Sequence, residues 1–333
     1  MTPIRVALLI AVCAVSPAVA QDFRVEDVPM LANVPVAQLK PRTVAFAEYV
    51  KDKLSDPSTG LIPFDDWARE RPLQRKFLSL FPAFEEPSLK DGGKRKLSIY
   101  VAEARFRIGK PAVDLARYAN LAFIERLDPA VKHRAITAAA AMPNKEAELA
   151  YSLPPGRKWC EDPKAICIQS RYRFEGRIPA GILLVNKLRD ESKKPIPDYI
   201  EFQSEIRLLS PEHPEVADIR SLTGIDSPVT GVLEQSTFWA NQVIQFGRLV
   251  AVVQQHPSDA KASVATVYLV LAVRNDILNK QKEYGNAPVL RNMVPAQLLM
   301  GNSSFNTGDS ISAGLPKYAR GRIKALAEII ERE

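Results

Sequence analysis

Three kinds of side chain in this sequence could take part in chemistry: a cysteine pair, a few carboxylates on predicted strands, and scattered histidines. Cys160 and Cys167 bracket the turn-forming segment Glu161–Lys164. In an oxidising compartment such a pair most simply forms one disulfide. We therefore predict a structural Cys160–Cys167 disulfide just before a strand. A redox or metal role is the alternative, although this spacing matches neither thiol-exchange motifs nor zinc motifs.

Three glutamates are the only carboxylates on predicted strands that merit testing for acid–base catalysis. Glu201 and Glu205 fall on one predicted strand and Glu234 on another. A buried or paired carboxylate can act as a general acid or base if its pKa is tuned towards the working pH. An enzyme of the hydrolase type is therefore one hypothesis, but no residue is assigned a catalytic role.

The histidines do not predict a metal site. His133, His213 and His256 fall on a predicted helix, a loop and a turn, and none has a second ligand at metal-binding spacing. The chain also lacks a phosphate-binding glycine loop, because Gly92-Gly93-Lys94 has neither the preceding glycine nor the following Ser or Thr. We predict no metal and no cofactor.

One short block near the C-terminus resembles a known catalytic motif. Gly308-Asp309-Ser310-Ile311-Ser312 is similar to the G-D-S block of GDS-type esterases, in which the serine is the nucleophile. That block belongs after an N-terminal strand and needs a histidine downstream, and no histidine follows Ser310. A hydroxyl without a base is a weak nucleophile, so we interpret Asp309 and Ser310 as hydrogen-bonding loop residues.

Amides and aromatic residues recur on the predicted strands. They are typical either of an outer sheet face that uses glutamine or of a concave interior in which a few polar groups among aromatic rings orient a ligand. On the second interpretation the candidate ligand-binding residues are Tyr172, Phe174, Phe202, Gln235, Phe238, Trp239 and Tyr268. The expected ligand is small and apolar or amphipathic.

The first twenty residues predict export. Arg5 precedes the apolar run Val6–Val15, and Ala18-Val19-Ala20 offers small residues before a cut at Gln21. The run is too short to span a bilayer, so we expect a secreted, periplasmic protein that is not transmembrane. The formal net charge is +7, and the basic residues are interleaved with 38 acidic ones. This distribution, together with export, argues against a nucleic-acid partner.

The elements that must position these residues change character at Pro154-Pro155-Gly156, which predicts a boundary. After a loose arm over residues 21–35, three- and four-residue apolar spacing predicts an all-helical region over residues 36–155. Leu97 to Ile108 is assigned to a helix there because Leu97, Val101, Ala104 and Ile108 fit that period. Residues 156–333 form the second predicted unit.

That second unit is predicted to be an α+β domain. The period changes to two in Ile166–Glu175 and Tyr199–Leu209, a three-stranded meander follows over Val229–Val273, and Lys317–Glu333 carries one apolar stripe. The order of these elements resembles the helix-grip arrangement of START-type lipid-carrying domains. The resemblance implies an antiparallel sheet wrapped around a long C-terminal helix, with a pocket between them.

Two further functional hypotheses follow from this organisation. The first is a non-catalytic carrier or sensor whose ligand lies between the sheet and the C-terminal helix, with Gly301–Pro316 as its gate. The second is an envelope interaction or scaffold protein whose helical N-terminal half binds a macromolecular partner.

Overall fold

The structure is a computed structural model of the 333-residue chain. It describes residues 23–29, 34–48, 62–63, 90–91, 94–95, 97–144, 147–148, 151, 153, 155–173, 199–240, 244–274 and 311–333. The predicted signal peptide, Phe174 and the first ten residues of the predicted gate lie outside these ranges. The rest of the gate, from Ile311, belongs to a helix.

Most of the described chain is β-structure. The strands are β1 (Arg24–Pro29), β2 (Thr43–Glu48), β3 (Ile62–Pro63), β4 (Lys90–Asp91), β5 (Lys94–Arg95), β6 (Leu97–Ile108), β7 (Val131–Ala135), β8 (Ile166–Arg173), β9 (Tyr199–Leu209), β10 (Val229–Ala240), β11 (Ile244–Gln255) and β12 (Ser263–Arg274). The α-helices among the described residues are α1 (Leu121–Leu127), α2 (Pro214–Thr223) and α3 (Ile311–Arg332). Single 3-10 turns occur at Val36–Gln38, Leu115–Tyr118 and Ala138–Ala140.

Ten strands form one mixed sheet. Nine of them follow the order β1-β2-β6-β12-β11-β10-β9-β8-β7, and β3 pairs with β6 beyond the end of β2. The β1–β2 pair is parallel and the other pairs are antiparallel. The three central strands β10, β11 and β12 have twelve residues each, and their Val, Leu and aromatic side chains suit a pleated surface covered on both faces.

The prediction of an all-helical region over residues 36–155 is wrong. The described part of that region contains six strands, the seven-residue helix α1 and two further helical residues, Ala147 and Glu148. Leu97–Ile108 is the longest of these strands rather than a helix. Its alternation was hidden because Glu103 and Arg105 occupy buried positions, where an amphipathic strand would have apolar residues. The described N-terminal half, in which the scaffold hypothesis placed a helical binding surface, is therefore mostly β-structure.

The helix-grip arrangement is also wrong, because the sheet is not confined to residues 156–333. Strand β6 pairs with β12 along its whole length, from Leu97 opposite Arg274 to Ile108 opposite Ser263. Strands β1, β2 and β7 also come from the N-terminal half and lie at the two ends of the same sheet. The predicted boundary at Pro154–Gly156 consequently does not divide the sheet.

Each face of the sheet carries its own hydrophobic core. We call them the α3 face and the α2 face after the helices that pack on them. On the α3 face, Ile323, Leu326, Ala327 and Ile330 of α3 join a cluster that includes Phe46, Phe106, Phe123, Leu249, Ala251 and Val267. On the α2 face, Val216, Ile219 and Leu222 of α2 join Trp159, Phe238, Phe246, Val250, Tyr268 and Val270.

Helix α3 is fixed to the rest of the protein near its middle and near its C-terminus. Near its middle, Arg320 pairs with Asp27 at 2.5 Å and lies 4.6 Å over the ring of Phe46. Near its C-terminus, Glu331 accepts the Gly109 N–H at 2.8 Å and Lys110 Nζ donates to the Ile330 carbonyl at 3.1 Å. Among the helices that the structure describes, none is long and apolar enough to cross a membrane.

Candidate functional site

The six described candidate ligand-binding residues divide between the two faces. Gln235 hydrogen-bonds to α3 and lies opposite Ile206 of β9, four residues from Phe202. Phe202 lies opposite Ser170 of β8, two residues from Tyr172, so Tyr172 and Phe202 share the α3 face with Gln235. The other three belong to the α2 face. Tyr268 donates to the Leu222 carbonyl of α2 at 3.1 Å, Phe238 stacks on Trp159 at 4.6 Å, and Trp239 packs against the same core.

A β-bulge explains why Phe238 and Trp239 share a face although they are adjacent in sequence. The register of β10 against β9 shifts between Thr237 and Trp239. An extra residue in one strand breaks the alternation of side chains at that point. The structure therefore brings Tyr172, Phe202 and Gln235 to one face and leaves Phe238, Trp239 and Tyr268 on the other.

Beneath α3, a buried polar chain crosses from helix to sheet. Arg322 of α3 pairs with Asp128 at 3.0 Å and donates to Gln235 Oε1 at 2.7 Å. Gln235 Nε2 in turn donates to Ser204 Oγ at 2.8 Å. Because this chain satisfies both polar atoms of the Gln235 amide, Gln235 positions α3 on the sheet.

A second polar group lies farther along the same face, at the outer strands. Strand pairing places His133 of β7 opposite Ser170 of β8, and His133 Nδ1 is 2.8 Å from Ser170 Oγ. Burial lowers the pKa of His133 below its ordinary value of 6.5, although the charge of Asp128 acts in the opposite direction. The ring is therefore neutral at pH 7. Its other nitrogen, Nε2, is buried and completes no hydrogen bond of normal geometry with any described residue, although the Asp128 backbone lies close enough to the ring to act on its pKa.

Two aromatic side chains near this histidine are only half-buried. Ser170 lies between His133 and Phe202 across three strands, and Tyr172 lies diagonally next to His133 on the same face. Tyr172 and Phe202 are both half-buried, whereas Leu249, Ala251 and Val267 nearer the middle of the face are buried. We call His133, Ser170, Tyr172 and Phe202 the β7–β9 margin. It combines apolar surface with one polar atom that lacks a partner.

On the α2 face, Glu234, one of the three glutamates that merit testing for acid–base catalysis, is held by two arginines. Glu234 is 2% exposed, and its two oxygens lie 2.7 Å from Arg207 and 2.8 Å from Arg248. Burial alone would raise the pKa of Glu234, but Arg248 and Arg207 outweigh it and lower the pKa to about 2. Glu215 of α2 adds a second negative charge 3.3 Å from Arg248. Glu234 therefore stays ionised at neutral pH and has no proton to donate there.

The other two candidate carboxylates are also paired. Glu201 accepts from Arg171 at 2.8 Å at the outer end of β9. Glu205 is 2% exposed and forms an ion pair with Arg157. Its other oxygen accepts the Cys160 N–H at 2.8 Å. The prediction of a Cys160–Cys167 disulfide is confirmed, and this bridge lies directly against Glu205, with Cys167 Sγ 4.0 Å from the carboxylate.

Tyr151 is buried next to the ionic group on the α2 face. Its hydroxyl donates to the Gly247 carbonyl, and burial raises the pKa of this phenol. The ring meets Trp159 edge-on at 5.2 Å and Phe246 at 5.8 Å. Tyr151 is thus a neutral donor that anchors the segment before the disulfide to β11.

The remaining histidines have structural roles. His213 Nδ1 accepts the Glu215 N–H at 3.3 Å and caps the N-terminus of α2, and His256 Nδ1 accepts the Ser258 N–H at 3.3 Å in a turn. Ser310 lies outside the described residues. Sequence reasoning missed the contact of His133 with Ser170 and that of Arg322 with Asp128, because each depends on pairing between distant segments. A strand assignment for Val131–Ala135 would have been the one local signal for the first contact.

No protein-family model matches this sequence, and no curated protein matches it.

Proposed function

We propose that this protein is a non-catalytic carrier or sensor of a small amphipathic molecule, which it binds at the β7–β9 margin. The observation that carries the proposal is the buried Nε2 of His133, which completes no hydrogen bond of normal geometry, beside the half-buried rings of Tyr172 and Phe202. Small-molecule sites in proteins typically combine apolar walls with a few polar groups that fix the ligand's orientation.

The apolar body of the ligand would lie on Phe202 and Tyr172. Fully burying an exposed large side chain contributes about 1.5–3 kcal/mol, so covering the exposed part of a half-buried ring contributes about half of that. Two rings on neighbouring strands can therefore provide a substantial part of the affinity. This part of the site selects for a flat or elongated apolar body and not for a particular chemical group.

The polar end of the ligand would meet His133. Ser170 Oγ is in contact with Nδ1, so the neutral ring can present Nε2 either as an N–H donor or as an acceptor, depending on its tautomer. A ligand hydroxyl satisfies both arrangements, and a carbonyl or carboxylate satisfies the first. A buried polar atom without a partner is costly, so a ligand that completes this hydrogen bond is favoured over a purely apolar one.

Binding fits this arrangement better than catalysis does. The three carboxylates considered for acid–base work are each paired with an arginine, and the pKa of Glu234 is about 2. The Cys160–Cys167 disulfide fits an extracytoplasmic compartment, and the N-terminal pattern of Arg5 and Val6–Val15 supports export to the periplasm. We therefore propose a periplasmic binding role.

Two measurements test the proposal. Native mass spectrometry of protein purified from its own host should reveal a co-purifying molecule. Fluorescence titration with 1-anilinonaphthalene-8-sulfonate should show saturable binding that Phe202→Ser weakens about 3- to 10-fold, as expected when the exposed half of one ring is covered on binding. Leu208→Ser is the matched control, since Leu208 lies on the same strand and is 39% exposed at the opposite end of β9.

The role of the histidine is tested with a second probe. N-phenyl-1-naphthylamine has the same aromatic body without the sulfonate, so His133→Leu should weaken the sulfonated probe about 2- to 10-fold, the value of one hydrogen bond, and leave the other probe unchanged. Protein with no co-purifying molecule whose probe binding is equal in wild type, Phe202→Ser and Leu208→Ser would overturn the proposed function.

A further inference from the structure

A second site, independent of the β7–β9 margin, lies on the α2 face where the disulfide meets Glu205. The two Sγ atoms of Cys160 and Cys167 and a carboxylate oxygen of Glu205 all lie within 4.8 Å of one another. We propose that when a dithiol reductant opens the disulfide, these three residues bind one thiophilic divalent cation of the zinc class. The inference goes beyond the proposed carrier function and does not depend on it.

The geometry is close to that of a zinc site. Three atoms within 4.8 Å of one another have a central point within about 2.8 Å of each, against bonds of about 2.3 Å for Zn–S and about 2.1 Å for Zn–O. Two sulfurs and one oxygen fill three positions of a tetrahedron and leave the fourth for water. Thiolate ligands favour zinc over magnesium or calcium, which prefer oxygen ligands.

The charges balance in both states. In the disulfide form, the ion pair between Arg157 and Glu205 is neutral, as a buried site requires. Reduction transfers two electrons and two protons from the reductant dithiol, which becomes a disulfide, and the S–S bond becomes two thiols. When the cation binds, both thiol protons leave to solvent. The two thiolates then neutralise the cation's double charge, since Glu205 is already neutralised by Arg157.

Contacts other than the disulfide hold the three ligands in place. The Cys160 N–H donates to Glu205 at 2.8 Å, and strand pairing places Cys167 of β8 opposite Glu205 of β9. Trp159, next to Cys160, is 4% exposed and stacks on Phe238. The turn between the cysteines closes through the Asp162 carbonyl, which accepts the Ala165 N–H at 3.0 Å. Opening the bridge therefore leaves the ligands close together.

A reductant can reach the bridge from one side. Cys160 is half-buried and follows an exposed turn, whereas Cys167 is 6% exposed within β8. An attacking thiolate would therefore approach Cys160 Sγ, with Cys167 as the leaving sulfur. The carboxylate of Glu205 lies on the buried side and remains available to the incoming cation.

The test uses the full chain and Co²⁺ as a spectroscopic probe. Protein reduced with a phosphine and desalted without oxygen should bind one Co²⁺, with the thiolate charge-transfer and visible bands of tetrahedral coordination, and should release about two protons per ion. Disulfide-intact protein should bind none. Glu205→Gln should weaken binding by about 10-fold or more, and Glu201→Gln, four positions earlier on β9, should leave it unchanged.

A measurement on the wild type alone guards against a variant that fails to fold. Zn²⁺ should slow the alkylation of both cysteines in the reduced protein, and Mg²⁺ should not. Reduced protein that binds no Co²⁺, or binds it without thiolate bands and without protection of the cysteines, overturns the proposal. So does a folded Glu205→Gln variant with wild-type affinity.

Discussion

Replacing Glu234 with glutamine measures how strongly the ionic group on the α2 face stabilises the sheet. The change keeps the size of the side chain but removes the negative charge that Arg207 and Arg248 contact at 2.7 and 2.8 Å. Glu215 would then be the remaining carboxylate near both guanidinium groups, at 3.9 and 3.3 Å. Removing one partner of a buried ion pair costs about 3–5 kcal/mol, and we expect the free energy of unfolding at pH 7 to fall by this amount.

The same variant should change how stability depends on acid. The pKa of Glu234 is about 2 in the folded protein against 4.5 for the free side chain. Between these values the unfolded chain binds more protons than the folded one, so stability falls as the pH decreases from 4.5 to 2. The contribution is on the order of 3 kcal/mol. Glu234→Gln lacks this contribution, so its difference from the wild type should shrink over the same pH range.

Urea denaturation followed by tryptophan fluorescence, repeated from pH 7 to pH 2.5, measures both effects. Asp226→Asn is the matched control, because Asp226 forms an ion pair with Arg220 at 2.7 Å but is fully exposed. That pair should contribute nothing measurable. The reasoning is refuted if Glu234→Gln costs no more than Asp226→Asn, or if its difference from the wild type is the same at pH 2.5 as at pH 7.

Three further predictions concern other parts of the fold. Burial lowers the pKa of His133 below 6.5, so the unfolded chain binds a proton at this residue before the folded protein does. The free energy of unfolding should therefore decrease as the pH falls below 6.5. Urea titrations should show a smaller decrease in His133→Gln, and an equal pH dependence in both proteins would contradict this. Replacing Cys160 and Cys167 together with serine should lower the free energy of unfolding by about 2–3 kcal/mol in calorimetry, whereas an unchanged melting temperature would count against the bridge. Gly224 ends α2 with a φ of +65°, so Gly224→Ala should destabilise the protein by about 1 kcal/mol. Gly321 lies on α3 with open space around it, so Gly321→Ala should stabilise the protein by a similar amount. The opposite order would disprove the left-handed conformation assigned to Gly224.

Local pattern was sufficient for some elements and not for others. Strands β10, β11 and β12 could be predicted because long runs of Val, Leu and aromatic residues are separated by short polar turns. Strand β6 could not be predicted in this way, because it carries a charged residue at a buried position. Arg105 is 2% exposed and hydrogen-bonds to Thr266 and to the Thr223 carbonyl. A charge at a buried position looks like a solvent-facing residue until its distant partners are known.

The candidate sites depend on strand register in the same way. The disulfide could be predicted because Cys160 and Cys167 are close in sequence, but the contact of Glu205 with it requires β8 and β9 to pair with Cys167 opposite Glu205. His133 and Ser170 meet only because β7 is the outermost strand next to β8. A one-residue shift in either register would turn these side chains to the other face.

The pairing of β6 with β12 also constrains how the chain can assemble. Arg105 and Thr266, which bond across this pair, are 161 residues apart in the sequence. Closing so large a loop costs entropy before any contact compensates for it, so the local meander β10–β11–β12 should form first and β6 should dock late. A nascent or truncated chain that ends before Ser263 would leave the β12-facing edge of β6 without its native partner, and such edges promote aggregation. Strand β6 therefore gains its native partner, and loses this aggregation-prone edge, only once β12 has been synthesised.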